Sequence, residues 1–278
     1  MKKILFVIIA ILAIDLNAQE NFQSEQKWSN GIIRGHEDLT RFGVEMANLA
    51  IGIEFYPTIA IGDHGFNTIN PLLRGNYSSD VPNLVLCRYY QLEQAACTLQ
   101  YWQQNSHLQN IHSLRNYANK QVETFDESLQ AIRSLVQTNT AYALEFFYQN
   151  DLENFYFWIG HVLHTLQDSY SPAHTQRESQ ANNYRIKDIC TYGKKFPNVC
   201  YHQFLGKSDY IWMIKWGCLS GRKFDCLSEE AKAAANATAA YLTLIYNFIN
   251  STSALEFEWQ QKKLRQMLEK YLNTTIYR

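Results

Sequence analysis

The segment WIGHVLHTLQDSYSPAHTQRE, residues 158–178, limits what this chain can fold into more than any other stretch. The apolar run FYFWIG leads into it, so the helix it predicts is a buried one. Yet that helix carries His161, His164 and Asp168, and His174 follows just past a proline. Buried imidazoles and carboxylates are costly unless they are satisfied, so distant parts of the polypeptide must bring partners to this helix. Positions i and i+4 of a helix share one face, a turn apart. His164 and Asp168 therefore aim an imidazole and a carboxylate at the same point. Pro172 lacks the backbone donor that a continuing helix needs, which predicts a helix end near Ser171 and places His174 on the next turn. Imidazole and carboxylate ligands together suit Zn²⁺, and an open coordination position leaves a water to be activated.

The rest of the chain favours helices. Twelve Gly and five Pro in 278 residues leave few breaking points, which argues against a many-stranded β fold. Apolar residues recur at helical spacing over 36–53, 88–104, 108–149 and 152–170. Ser228 reads as an N-cap before Glu229 and Glu230, residues 231–249 continue as a helix, and 256–272 form a final amphipathic helix. Residues 54–86 hold most of the turn-forming residues and are expected to be a long irregular excursion of the kind that carries function. Residues 175–227 are mixed in pattern. The expectation is one all-α, multi-helix domain. Its net charge of −1 offers no basic field to recruit nucleic acid or an anionic membrane. Aromatic residues, at 14%, point to a bulky core.

Residues 1–18 have the layout of a secretory signal peptide. Lys2 and Lys3 precede an apolar run over 4–14 that is too short to span a bilayer, and Leu16-Asn17-Ala18 resembles a small-residue cleavage site. The mature protein is expected to be secreted or periplasmic. Its six cysteines fall into three local pairs, Cys87/Cys97, Cys190/Cys200 and Cys218/Cys226. The sequence does not fix their connectivity, but disulfides are expected after export. None of the pairs is CxxC, which weakens zinc-ribbon and thioredoxin readings.

The stretch GHVLHTLQDSYSPAH resembles the signature of the zinc-dependent phospholipases C, within a superfamily that includes P1-type single-strand nucleases. The family pattern His-x3-Asp-x5-His is met without gaps by His164, Asp168 and His174. The resemblance implies an all-helical catalytic domain over 28–278 with three zinc ions in a cleft. It implies that Asp168 bridges ions and that His164 is its partner on the first. Asp80, in GNYSSDVPN, is the implied loop ligand and general base. The second imidazole of the first ion is His107 or His112, with HSLRN favouring His112. His174 and His202 are implied at the second ion, where Gly206 stands in place of the family's acid and leaves Glu178 or Asp209 as candidates. The third ion draws on His36 and on the amine of Trp28, which would require residues 19–27 to be a propeptide. His161 reads as packed or hydrogen-bonded behind the ligands, and Asp63-His64 is a rival loop pair.

These residues point to hydrolysis of a phosphodiester, most simply phosphatidylcholine to diacylglycerol and phosphocholine, by a monomer acting at a membrane surface. No stable nucleic-acid partner is expected. No GxSxG pattern suggests a serine nucleophile. Tyr89, Tyr90, Tyr101 and Trp102 are aromatics that could meet lipid or fill the core. Two alternatives stand beside this reading: a P1-type nuclease using the same metals, and an exported zinc-binding module without activity.

Overall fold

Helix α5, Leu152–Asp168, is the element around which the others pack. The computed structural model describes residues 25–28, 31–61, 63, 68–81, 84–91, 107–118, 121–178, 184–192, 196–202 and 224–272. Before α5 come a hairpin of β1 (Glu25–Trp28) and β2 (Gly31–Arg34), then α1 (Gly35–Ile51), α2 (Pro71–Asp80), α3 (Leu84–Tyr89) and α4 (Phe125–Tyr148). After it come α6 (Glu229–Ile249) and α7 (Ala254–Tyr271). Helices α2, α4, α1 and α6 all contact α5, and α1 also lies along α6.

Local chemistry sets the helix starts. Thr124 and Glu127 form a reciprocal capping box at the head of α4, and Asp151 accepts from the Asn154 amide at the head of α5. Ser228 caps α6 through the Ala231 amide, as its position in the sequence predicts.

The crossing of α2 over α5 is unusually close because glycine lines both sides. A Cβ at Gly75 would overlap the Phe157 carbonyl, and one at Gly160 would overlap the Leu72 carbonyl. This approach brings the polar face of α2, with Asn76, Ser79 and Asp80, against the polar row of α5. Around the crossing, Leu72, Leu73, Ile159 and Leu163 are fully buried. Each such side chain contributes about 1.5–3 kcal/mol from its removal from water. The Trp158 ring packs at 4.5 Å from Tyr89 and 4.7 Å from Tyr142, centroid to centroid.

Two expectations change. The excursion over 54–86 contains helix α2, because Asn70 accepts from the amides of Leu72 and Leu73 while Pro71 occupies the first turn. The turn-formers Asn70 and Pro71 are a helix start. Nor is 108–149 one helix. Residues Gln109–His112 form a 3₁₀ turn, Ser113 takes a left-handed φ of 51°, and β3 (Tyr117–Ala118) pairs with β4 (Gln121–Val122) before α4 begins. Polar side chains take the backbone groups a helix would use: Asn116 accepts from the Gln109 amide and Glu123 accepts from the Asn116 amide. In the segment 88–104, α3 ends at Tyr89 and Gln91 is left-handed at 56°, while 92–104 lie outside the described residues.

The chain is mostly helical, with four two-stranded ribbons among the described residues. Past α5, β5 (Thr175–Arg177) pairs with β6 (Ile186–Ile189), and β7 (Thr191–Tyr192) runs parallel to β8 (Tyr201–His202). Cys190 and Cys200 are joined by a disulfide that ties this region together. Cys87 and Cys226 are also disulfide-bonded, and Cys97 and Cys218 lie outside the described residues. Among the described residues no helix is long and apolar enough to cross a membrane. The expected signal segment 1–18 lies outside them.

Candidate metal centre

Four segments meet at the C-terminal end of α5. His36 comes from the first turn of α1, Asp80 from the last residue of α2, His112 from the 3₁₀ turn, and His164 and Asp168 from α5 itself. Two triads, His36/His164/Asp168 and Asp80/His112/His164, each place one ligand atom per residue within 4.8 Å of the others. His164 belongs to both.

The Asp168 carboxylate faces two ways. Its Oδ1 lies 3.1 Å from His36 Nε2, and its Oδ2 lies 2.9 Å from His164 Nε2 and 3.3 Å from His112 Nδ1. Asp80 Oδ1 stands 3.5 Å from His164 Nε2 and 3.7 Å from His112 Nδ1. His112 Nδ1 and His164 Nε2 are 3.1 Å apart. Asp80 is the helix's final residue, where the sequence reading expected a loop. The close glycine crossing of α2 on α5 is what carries it to His164.

Other bonds fix the donors in place. Ser113 Oγ donates to the Thr165 carbonyl and Thr165 Oγ1 donates to the Ile111 carbonyl, each at 2.8 Å, which pins the turn bearing His112 onto α5. His174 follows the end of α5 at Ser169. Its Nδ1 donates to the His112 carbonyl at 2.5 Å and lies 3.5 Å from Asp168 Oδ2. Arg177 closes this corner, bonding the Ser169 carbonyl and hydroxyl, the Tyr184 carbonyl and the Tyr271 carbonyl.

The site is buried. His164 is fully enclosed, and Asp168 and His112 are nearly so, while His36, with 14% of its side chain exposed, is the most open. Burial alone would lower the His36 pKa, but the charge and hydrogen bond of Asp168, then Asp80 and Gln167, raise it to about 10. Burial drives His164 well below the ordinary histidine value, Asp168 opposes, and the neighbouring His36 and His112 add to the fall. Burial would raise Asp168, but His174, His164 and His36 hold it well below the carboxylate range.

A divalent cation fits these donors. His36 Nδ1 bonds the Gln167 amide oxygen at 2.9 Å and His164 Nδ1 faces the Asn76 amide oxygen at 3.4 Å. A carbonyl oxygen is only an acceptor, so both Nδ1 atoms carry protons. Nε2 of the neutral His164 ring then turns a lone pair toward the Asp168 and Asp80 carboxylates, an arrangement that a positive charge between them would satisfy. His36, with its raised pKa, holds a proton on Nε2 against Asp168 Oδ1 that a bound cation would replace. His112 Nε2, also buried, has no hydrogen-bond partner among the described residues.

Of the remaining candidates, His161 is a packed residue: its Nδ1 meets Ser79 Oγ at 2.6 Å and its Nε2 meets Tyr90 Oη at 2.9 Å, so neither ring nitrogen turns to the cluster. Burial, then the charge of His112, lowers its pKa to about 3. Tyr89 packs on Trp158, and Tyr101 and Trp102 lie outside the described residues. His107 sits exposed in the turn before the 3₁₀ segment and is in neither triad. Glu178 is half-buried with its amide on the Arg185 carbonyl. Asp63 accepts from the Ala60 amide as a turn residue, while His64 and Asp209 lie outside the described residues. The backbone of Trp28 pairs with Gly31 and that of His202 with Tyr192, and their side chains lie outside what is described.

Four buried polar residues that surround the rings, Thr40, Asn76, Gln167 and Thr238, do not stand out in the sequence as site residues. Gln167 alone left a signal, as an uncharged amide three residues after His164 on a helix otherwise bound for the core. Comparison of the chain with protein-family models, with curated proteins and with solved structures finds no match, so the geometry of these side chains is what speaks to their chemistry.

Proposed function

We propose that the protein is an exported, zinc-dependent phosphodiester hydrolase of the phospholipase C type, cleaving phosphatidylcholine-like lipids to diacylglycerol and phosphocholine. One observation carries the reading: three imidazoles and two carboxylates from four separate segments share one buried centre, with Asp168 facing His36 through one oxygen and His164 through the other. His36 and Asp168 Oδ1 would hold one ion. Asp80, His112, His164 and Asp168 Oδ2 would hold another, with His174 beside them. Bound zinc acidifies water and neutralises phosphoryl oxygens, which suits an anionic phosphodiester.

The chain's own groups then divide the work. Asp80 Oδ1, facing both His112 and His164, takes the proton of the attacking water as general base. Asp168 keeps its charge because the imidazoles surround it. Burial of His164 and Asp168 excludes bulk water, and His36 marks the side from which a phosphate reaches the centre. The Cys190–Cys200 disulfide is consistent with an oxidising compartment.

Metal analysis of the purified protein, followed by hydrolysis of p-nitrophenylphosphorylcholine and short-chain phosphatidylcholine with and without chelator, tests the proposal. Bound zinc and chelator-sensitive release of phosphocholine are expected. Cleavage of single-stranded DNA alone would make the protein a nuclease of the same chemistry. Bound zinc with no turnover of any phosphodiester would leave a metal-binding module.

A further inference from the structure

Four buried polar side chains behind the centre form a closed hydrogen-bond circuit that no ligand role explains. Thr40 of α1, Asn76 of α2, Gln167 of α5 and Thr238 of α6 are each at most 1% exposed. Gln167 Nε2 donates to Thr40 Oγ1 at 3.0 Å and to Thr238 Oγ1 at 3.2 Å. Asn76 Nδ2 donates to Thr40 Oγ1 at 3.2 Å and to Gln167 Oε1 at 3.1 Å. Gln167 Oε1 also accepts from His36 Nδ1, and Asn76 Oδ1 faces His164 Nδ1. The two amides thus end on the two imidazoles, each with its oxygen foremost.

The opposite arrangement can be drawn. Both amides would turn over, their nitrogens would donate to the ring Nδ1 atoms, and both rings would carry protons on Nε2, pointing at Asp168 where a cation would bind. Thr40 decides between the two. A hydroxyl has one proton and two lone pairs. In the observed circuit Thr40 Oγ1 accepts from two amide nitrogens. In the reversed circuit it would face two amide oxygens with a single proton, leaving one close oxygen–oxygen contact unbridged in the core. Two buried oxygens at 3.0 or 3.2 Å with no proton between them repel, and the observed circuit avoids that contact, which biases it one way.

We propose that Thr40, Gln167 and Asn76 are positioning residues that hold His36 and His164 as Nδ1-protonated rings, so that both Nε2 lone pairs are presented toward Asp168 for a divalent cation. The inference rests on the metal reading above and adds to it the device that sets the ligands' tautomer. Thr238 extends the device to α6, which supplies no ligand: through the Gln167 amide, the packing of α6 bears on ring orientation. The circuit also explains why primary amides occupy a helix crossing that apolar side chains could fill at lower desolvation cost.

The test compares wild type with Thr40→Val, Thr40→Ser and Gln167→Met by zinc titration against a competing chelator and by imidazole ¹⁵N shifts of the zinc-loaded proteins. Circular dichroism and thermal melting establish that each variant is folded. Groups that orient a ligand ring through its second nitrogen typically change metal affinity about 10–100-fold. Thr40→Val and Gln167→Met should lose affinity in that range, while Thr40→Ser, which keeps the hydroxyl, should stay within about threefold of wild type, on the same scale. In wild type the shifts of His36 and His164 should report Nε2 coordination and a protonated Nδ1. If Gln167→Met does not fold, the contrast between valine and serine at position 40 decides alone. Zinc-binding wild type with a Thr40→Val variant of equal affinity, or with Nδ1 coordination, overturns this inference and leaves the metal reading standing. A wild type that binds no zinc removes both together.

Discussion

The two halves of helix α5 are buried to the same depth for opposite reasons. In the first half, Phe155, Trp158 and Ile159 are enclosed by apolar and aromatic neighbours, and shape complementarity is what they contribute. In the second half, His164, Gln167 and Asp168 are just as enclosed, yet nearly every polar atom faces another polar atom. Burial by itself therefore does not separate core from site. What separates them is whether the contact surface is satisfied by packing or by hydrogen bonds and charge, and the second kind gathers donors that could hold a metal ion.

The largest expected contrast comes from removing one anchor of each half. On the proposed function, Asp168→Asn should abolish zinc binding at both positions and phosphodiester hydrolysis with it, because the amide offers at most one weak oxygen where the carboxylate faced four imidazoles. Metal content and turnover measure this, and a zinc-replete, active Asp168→Asn protein would erase the distinction between the halves. Trp158→Ala should instead cost stability, by about 3–5 kcal/mol for a buried indole, read from denaturant midpoints. Its zinc affinity should change far less.

Chelation sharpens the comparison next. A ligand present at about 100 times its Kd stabilises the folded state by about 2.7 kcal/mol. If the centre holds zinc as proposed, stripping it should lower the melting temperature of wild type, and the same treatment should leave Asp168→Asn unmoved. A further contrast is one of pH. In the metal-free protein the His36 pKa is raised to about 10 from the ordinary 6.5. A raised histidine contributes its stability in full below its unfolded pKa and loses it as pH climbs through the folded one. Urea midpoints of metal-free wild type should therefore fall between about pH 6.5 and pH 10, and His36→Gln should flatten that slope. Trp158→Ala should keep it.

Much of this was readable along the chain wherever the signal was local. The i, i+4 pair of His164 and Asp168, the proline that ends their helix, the Ser228 cap and the periodicity of α1, α4, α6 and α7 all depend on residues within a few positions of one another. The readings that failed were also local, but ambiguous. Asn70-Pro71 serves equally as a turn and as a helix start, and the helical spacing around His112 was overridden by Asn116 and Glu123 taking the backbone bonds. His112 and His107 carried nearly the same sequence signal, and the bonds of Ser113 and Ile111 to Thr165 of α5 separate them.

The sequence by itself determined that a buried helix would present imidazole and carboxylate to one point, because helical geometry and the cost of burying charge require nothing beyond that segment. Tertiary structure alone decided which distant groups answer it. Gly75 and Gly160 let α2 approach closely enough to deliver Asp80 and Asn76, and the amides of Asn76 and Gln167 set which ring nitrogens face the carboxylates. Such choices depend on distances of a few tenths of an ångström between elements far apart in the chain, and no periodicity or spacing encodes them.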